Sequence, residues 1–155
     1  MNIGYVAFEY YTCRYFYLLK LTIIKQSLVL FHSITGDRLI SSSFDGTVRI
    51  WNIKTGDCVF TLDEHRDRVN KISVSPKDEN IFTTAGNDGV VHFWKMNSGQ
   101  LILSHEGPGR MLNVSFDSNG DKLAATSYSS VNIIPLQYKK WNYHCYEEKY
   151  ILAMV

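Results

Sequence analysis

Between residues 37 and 137 the chain switches between apolar and polar side chains over short runs. Leu39, Val48 and Ile50 alternate with Arg38, Thr47 and Arg49. That period of two predicts half-buried antiparallel strands, because successive side chains of a strand leave on opposite faces. Asp45-Gly46 separates these runs, and an Asp-Gly pair predicts a tight hairpin, since the turn needs a positive φ that glycine adopts without steric cost. Lys54-Thr55-Gly56-Asp57 predicts the next turn and Cys58–Leu62 the strand after it. The same succession returns in Asp88-Gly89, in Asn97-Ser98-Gly99-Gln100 and in a strand over Gln100–Ser104. Each unit reads as a four-stranded antiparallel meander of about 40 residues.

The units are copies of one another. Asp45-Gly46, Val48, Trp51 and Gly56 recur as Asp88-Gly89, Val91, Trp94 and Gly99, each 43 positions further on. Gly36-Asp37-Arg38-Leu39 is answered by Gly120-Asp121-Lys122-Leu123 at an offset of 84. This third copy continues into Val131–Leu136, where a tryptophan is expected near Ile134 and does not occur. Several co-registered residues in three copies are a strong repeat signal.

On these residues the stretch 27–137 resembles the WD-repeat β-propeller family. Trp51-Asn52 and Trp94-Lys95 stand where the name-giving Trp-Asp falls, and Glu64-His65 where Gly-His falls. The resemblance implies an all-β fold, a partial propeller of about three four-stranded blades over 27–62, 63–104 and 105–137. Segments 1–26 and 138–155 stay unassigned. The run Gly107–Lys122 is similar to the last repeat of the transducin-beta-like corepressor subunits, which also lacks its histidine and tryptophan.

What the resemblance implies for side chains follows residue by residue. Asp88, His65, Thr84 and Trp94 form a buried structural tetrad, carboxylate to imidazole to hydroxyl to indole. Ser41, Asp45 and Trp51 repeat it in part, without an upstream histidine, and the third copy keeps none of it securely. Partners are expected on the face where the turns before Asp45 and Asp88 emerge, at Phe44, Asn87, Arg68 and Asn70, with Met111 and Asn113 as weaker counterparts. Phe44 is either an exposed anchor or a ring folded onto the neighbouring blade.

The resemblance points to a non-enzymatic scaffold, a nuclear subunit holding histone-deacetylase corepressor or other chromatin-associated proteins. The rival is a substrate receptor of a ubiquitin ligase. Such receptors often carry Trp-Asp-x-Arg, which Trp51-Asn52-Ile53-Lys54 and Trp94-Lys95-Met96-Asn97 do not match. An enzyme is not expected: a Thr-His-Asp set needs an open pocket and an oxyanion hole, and the sequence suggests neither.

Composition narrows the picture further. Sixteen basic against fifteen acidic residues leave a net charge of +1, no electrostatic reason to expect a nucleic acid or a membrane surface as partner. Cys13, Cys58 and Cys145 are too few and too far apart for a disulfide framework or a zinc cluster, and His144-Cys145 has no second pair at metal spacing. Reduced thiols in a nuclear or cytoplasmic protein are expected, with no metal and no cofactor. Glu9, Arg14, Lys20 and Lys25 interrupt the N-terminal region and exclude a membrane span or a secretory signal from the expectation. Gly107-Pro108-Gly109 lacks the Gly-Lys-Ser/Thr context of a phosphate loop, and Asn113-Val114-Ser115 falls in an expected strand of an intracellular chain.

Nine of the ten tyrosines lie in 1–31 and 138–155, so the ends differ in character from the middle. Propellers close with four to eight blades, and three leave two blade faces uncovered. The expectation is a piece of a longer propeller, a truncated gene model with translated non-coding ends, a chain whose ends act as caps, or self-association through the open faces.

Overall fold

Each alternating run forms a strand and each Gly-containing run between them a turn. The computed structural model describes residues 27–32, 37–139 and 142–145, with side chains over 37–136; segment 1–26 and the tail after Cys145 lie outside the described residues. Twelve strands make three four-stranded antiparallel sheets. The first holds β1 (Ser27–His32), β2 (Arg38–Ser43), β3 (Val48–Asn52) and β4 (Cys58–Leu62). The second holds β5 (Val69–Val74), β6 (Ile81–Gly86), β7 (Val90–Lys95) and β8 (Leu101–Glu106). The third holds β9 (Asn113–Phe116), β10 (Lys122–Thr126), β11 (Val131–Lys139) and β12 (Asn142–Cys145). In every sheet the strands follow in chain order, the meander expected of a propeller blade. The described residues include no helix, and none long and apolar enough to cross a membrane.

Register ties the copies together. Leu39 faces Trp51, Phe82 faces Trp94, and Leu123 faces Ile134, so Ile134 occupies the missing tryptophan's position. Gly46 and Gly89 turn their hairpins with φ of 88° and 84°, as the Asp-Gly pairs require. At Gly46 the neighbouring blade adds a second reason. A Cβ there would lie 2.8 Å from the His65 carbonyl oxygen.

The cores lie between sheets, not within them. Ile40, Val48, Ile50 and Leu62 of the first sheet meet Val69, Ile72, Phe82 and Trp94 of the second. Ala85, Val91 and Phe93 of the second meet Val114, Leu123, Ala125 and Ile134 of the third, with Met111 from the loop before β9. Strand β5 packs against β1 and β2 on one side and β9 on the other. Stacking of faces is the feature that makes a repeat array cohere.

Two boundaries differ from expectation. Strand β8 runs to Glu106, beyond Ser104, because Val90 pairs with Glu106 and the Gly107 amide bonds the Gly89 carbonyl at 2.8 Å. The third sheet does not stop at residue 137. Strand β11 continues to Lys139 and β12 pairs with it from Leu136↔Cys145 to Lys139↔Asn142, so part of the unassigned segment 138–155 supplies the fourth strand.

Candidate functional site

Strands β6 and β7 place Thr84 and Trp94 side by side, and the loop before β5 brings His65 over them. The Trp94 indole N–H donates to Thr84 Oγ1 at 2.9 Å. His65 Nε2 lies 2.7 Å from the same hydroxyl, and His65 Nδ1 lies 2.8 Å from Asp88 Oδ2. An indole N–H only donates, so the Thr84 hydroxyl accepts it and gives its own proton to Nε2; Nδ1–H is then left for Asp88. Asp88 is held in turn by the amides of Arg66 at 3.0 Å and Val90 at 3.2 Å. Thr84, Trp94 and His65 are all buried. Gly86 leaves the room: a Cβ there would come within 2.6 Å of both His65 Nδ1 and Asp88 Oδ1.

The electrostatics follow from this packing. Burial lowers the His65 pKa and outweighs the charge and hydrogen bond of Asp88. For Asp88 burial raises the pKa, but the Arg66 amide, the charge and hydrogen bond of His65 and the Val90 amide together hold the carboxyl below its usual value.

The other two sheets carry reduced versions. In the first, the Trp51 indole N–H donates to Ser41 Oγ at 2.9 Å, while Asp45 Oδ1 turns to the Thr47 amide and hydroxyl at 2.9 and 2.7 Å. In the third, Ala125 and Ile134 stand at the places of Thr84 and Trp94, both buried, so an apolar contact replaces the network.

His92 is a buried neighbour that the sequence reading missed. Its ring lies 4.3 Å from that of His65 and 5.4 Å from that of Trp94, centroid to centroid. Nδ1 meets Ser104 Oγ at 2.8 Å, and Nε2 is buried without a hydrogen-bond partner. Burial, and then the neighbouring His65, push its pKa down to about 4, against the opposing pull of Asp88 and the Glu64 backbone. His65, Asp88 and His92 hold nitrogen and oxygen atoms within 4.8 Å of one another. Both His65 nitrogens and both Asp88 oxygens are already engaged, so a metal ion would have to break the tetrad to bind. Beside them a cleft of about 570 Å³ opens toward β8, lined at its rim by Glu64, Arg66, Glu106 and Arg110.

The expected partner face gathers at one end of the sheets. Phe44 is 47% exposed, and the Arg68 guanidinium of the next sheet lies 3.8 Å from its ring centroid. The ring stays in solvent and the neighbour's arginine folds onto it. The Asn70 amide donates to Asn87 Oδ1 at 2.8 Å and to the Met111 carbonyl at 2.7 Å, which links the second and third sheets. Asn113 is exposed and accepts the Val114 amide at 2.9 Å.

Met111 is a correction. Its side chain is 0% exposed and belongs to the core between the second and third sheets; its amide bonds the Gly86 carbonyl at 3.0 Å, and only its carbonyl faces Asn70. Tyr128, 80% exposed in the β10–β11 turn, is a residue that the sequence reading missed. The signal was there, since Tyr128 follows Phe44 at the same offset of 84 that defines the third copy.

Three stacked four-stranded antiparallel meanders define the class, a partial β-propeller, and the buried tetrad lies within its second sheet and the loop that leads into it. Residues 26–52 and 56–95 match the family model of the WD domain, G-beta repeat, and the WD40 repeat family is thereby supported for this chain. The chain is similar to Protein SPA1-RELATED 3 of Arabidopsis thaliana, 30% identical over 101 residues, which are 65% of this chain and 12% of that protein. It is similar to the Coronin-like protein of Saccharomyces cerevisiae, 33% identical over 108 residues, 67% of this chain and 16% of that one. The β-propeller domain of Cps50 (Swd1) from Myceliophteria thermophila superposes with a TM-score of 0.67 at 19% identity, over 77% of this chain and 39% of that domain. The matched stretch thus spans a small part of each relative. None of these names supports the corepressor subfamily.

Proposed function

We propose that this chain is a non-enzymatic protein-interaction scaffold, docking partners on the end that carries the β2–β3 and β6–β7 turns. Phe44 is the observation that carries the reading. It is a large apolar ring in solvent at a hairpin tip, held in place by a guanidinium from the next sheet. An aromatic already fixed in position loses little freedom when a partner covers it, and such residues anchor interfaces. The tetrad serves the scaffold. His65 Nε2 and Nδ1 and the Thr84 hydroxyl are spent on one another and on Asp88 and Trp94, which leaves no group to exchange a proton with a substrate. A photo-crosslinking residue at Phe44 should capture a partner protein from the native cell, and one at Val59, exposed on β4 away from this end, should not. Capture at Val59 alone would refute the face.

A narrower reading makes the chain a nuclear subunit of a histone-deacetylase corepressor complex. Its support is the run Gly107–Lys122. Deacetylase activity recovered with the tagged full chain would bear it out. Capture at Phe44 without that activity would remove the narrower reading and leave the scaffold standing.

A further inference from the structure

Among the described residues only Phe44, Val59 and Tyr128 are large, apolar and exposed. Phe44 and Tyr128 sit at the same position of the same turn, between the second and third strands of the first and third sheets. The corresponding turn of the second sheet lies between them and offers Asn87, bound to Asn70. A ligand that touches both aromatic rings must therefore cross three sheets, and an extended segment spans such a line with little bulk.

The charge on this line is simple. Arg68 lies against Phe44, makes no ion pair with a described residue, and has its Nε buried without an acceptor. The carboxylates beside it are occupied locally: Asp67 accepts the Arg68 amide at 2.6 Å, and Asp45 accepts the Thr47 amide and hydroxyl. Glu64, Arg66, Glu106 and Arg110 lie on the β8 side around the cleft, two of each sign. Asn70, Asn87, Asn113 and the serines of the β10–β11 turn are neutral. The outer N–H groups of Arg68 are left as the donors suited to a carboxylate, with an apolar ring directly beneath.

We infer that Tyr128 belongs to the docking face, and that the occupant is an extended segment of a partner protein bearing an Asp or Glu beside an apolar residue. The carboxylate meets Arg68, its apolar neighbour lies on Phe44, and the segment continues past Asn87 to Tyr128. This inference rests on the docking-face reading and adds Tyr128 and the acid to it.

A phage-displayed random peptide library selected on the immobilised full chain tests it. Selected peptides should be enriched in Asp or Glu next to an aromatic or aliphatic residue. Affinity for these peptides, made synthetically, should fall at least about tenfold for Phe44→Ala, Tyr128→Ala and Arg68→Gln, the loss expected of an interface anchor. Replacing the peptide's acid by its amide should weaken binding to the natural chain and not to Arg68→Gln. Tyr128 is nearly all in solvent, so Tyr128→Ala should leave the melting temperature unchanged and report on binding alone. Peptides sensitive to Phe44→Ala but not to Tyr128→Ala or to loss of the acid would overturn the inference and spare the docking face. Peptides indifferent to all three substitutions, or no selected peptides at all, would count against both.

Discussion

At the scale of single residues, the tetrad gives the largest expected effect. Trp94 is 1% exposed, stacks on Phe82 with ring centroids 6.4 Å apart, and donates to Thr84. Trp94→Ala removes a large buried surface and leaves the Thr84 hydroxyl short of a donor; a loss of about 3–5 kcal/mol in denaturant unfolding is expected. His92 gives a pH dependence. Its pKa is about 4 in the folded chain against an ordinary 6.5, so the unfolded chain takes up a proton over that interval and the folded chain does not. Stability should be full above pH 6.5 and should decline as the pH falls toward 4, by at most about 3 kcal/mol. His65, also lowered, adds in the same direction. Denaturant midpoints at pH 7, 5.5 and 4.5 measure the decline, and His92→Gln should flatten it. The tetrad residues were legible through the family resemblance, which implies their roles, and the repeat alone marks only the register of Asp88 and Trp94 against Asp45 and Trp51. His92 was not, since its counterpart in the first copy is Arg49, a polar residue whose pattern predicts an outward side chain. Met111 was misplaced for a related reason. It stands two residues before β9, but its side chain turns into the core, a choice set by packing between the second and third sheets.

At the scale of elements, the Asp-Gly hairpins were plain in the sequence because the chemistry of a tight turn is local. The end of the third sheet was not. Strand β12 follows Lys139-Lys140-Trp141, which carries no glycine, asparagine or aspartate turn signal, so its pairing with β11 comes from the open strand edge and not from the connection. Gly46 tests how far a turn is bound to its neighbour. Any L-residue there must hold a φ of 88°, and its Cβ would meet the His65 carbonyl oxygen, which is backbone and moves only with its loop. Gly46→Ala should cost about 1–2 kcal/mol from the backbone conformation, with the contact adding to it. A thermal melt of that variant gives the measurement: a loss confined to the backbone cost would mean that the loop before β5 yields to the Cβ, and an unchanged midpoint would mean that the turn itself relaxes out of the positive φ. The sheets should also differ in protection. In the second sheet the network ties the loop before β5 to β6 and β7; in the third, Ala125 and Ile134 give apolar contact alone. Amide exchange should be slower in β6 and β7 than in β10 and β11.

At the scale of the whole molecule, the three sheets stack in series, and the far face of the third is the point to test. Val114, Leu123, Ala125 and Ile134 point toward the second sheet. The alternate positions Ser115, Ala124, Thr126 and Ile133 therefore point the other way, and of these Ala124 and Ile133 are apolar and half-buried. In a closed propeller the next blade covers such a face, and a repeat array ending on an apolar surface associates through it. A blade edge that offers unpaired backbone groups strengthens the same tendency. The 155-residue chain is accordingly expected to self-associate, with a mass by light scattering that exceeds one chain and rises with concentration. Ile133→Lys places a charge on the far face and leaves the inward residues untouched, so it should lower the mass while keeping the unfolding midpoint of the natural chain. A monodisperse single chain at every concentration would show this face to be covered from within the same chain. Association unchanged by Ile133→Lys would move the contact to another surface.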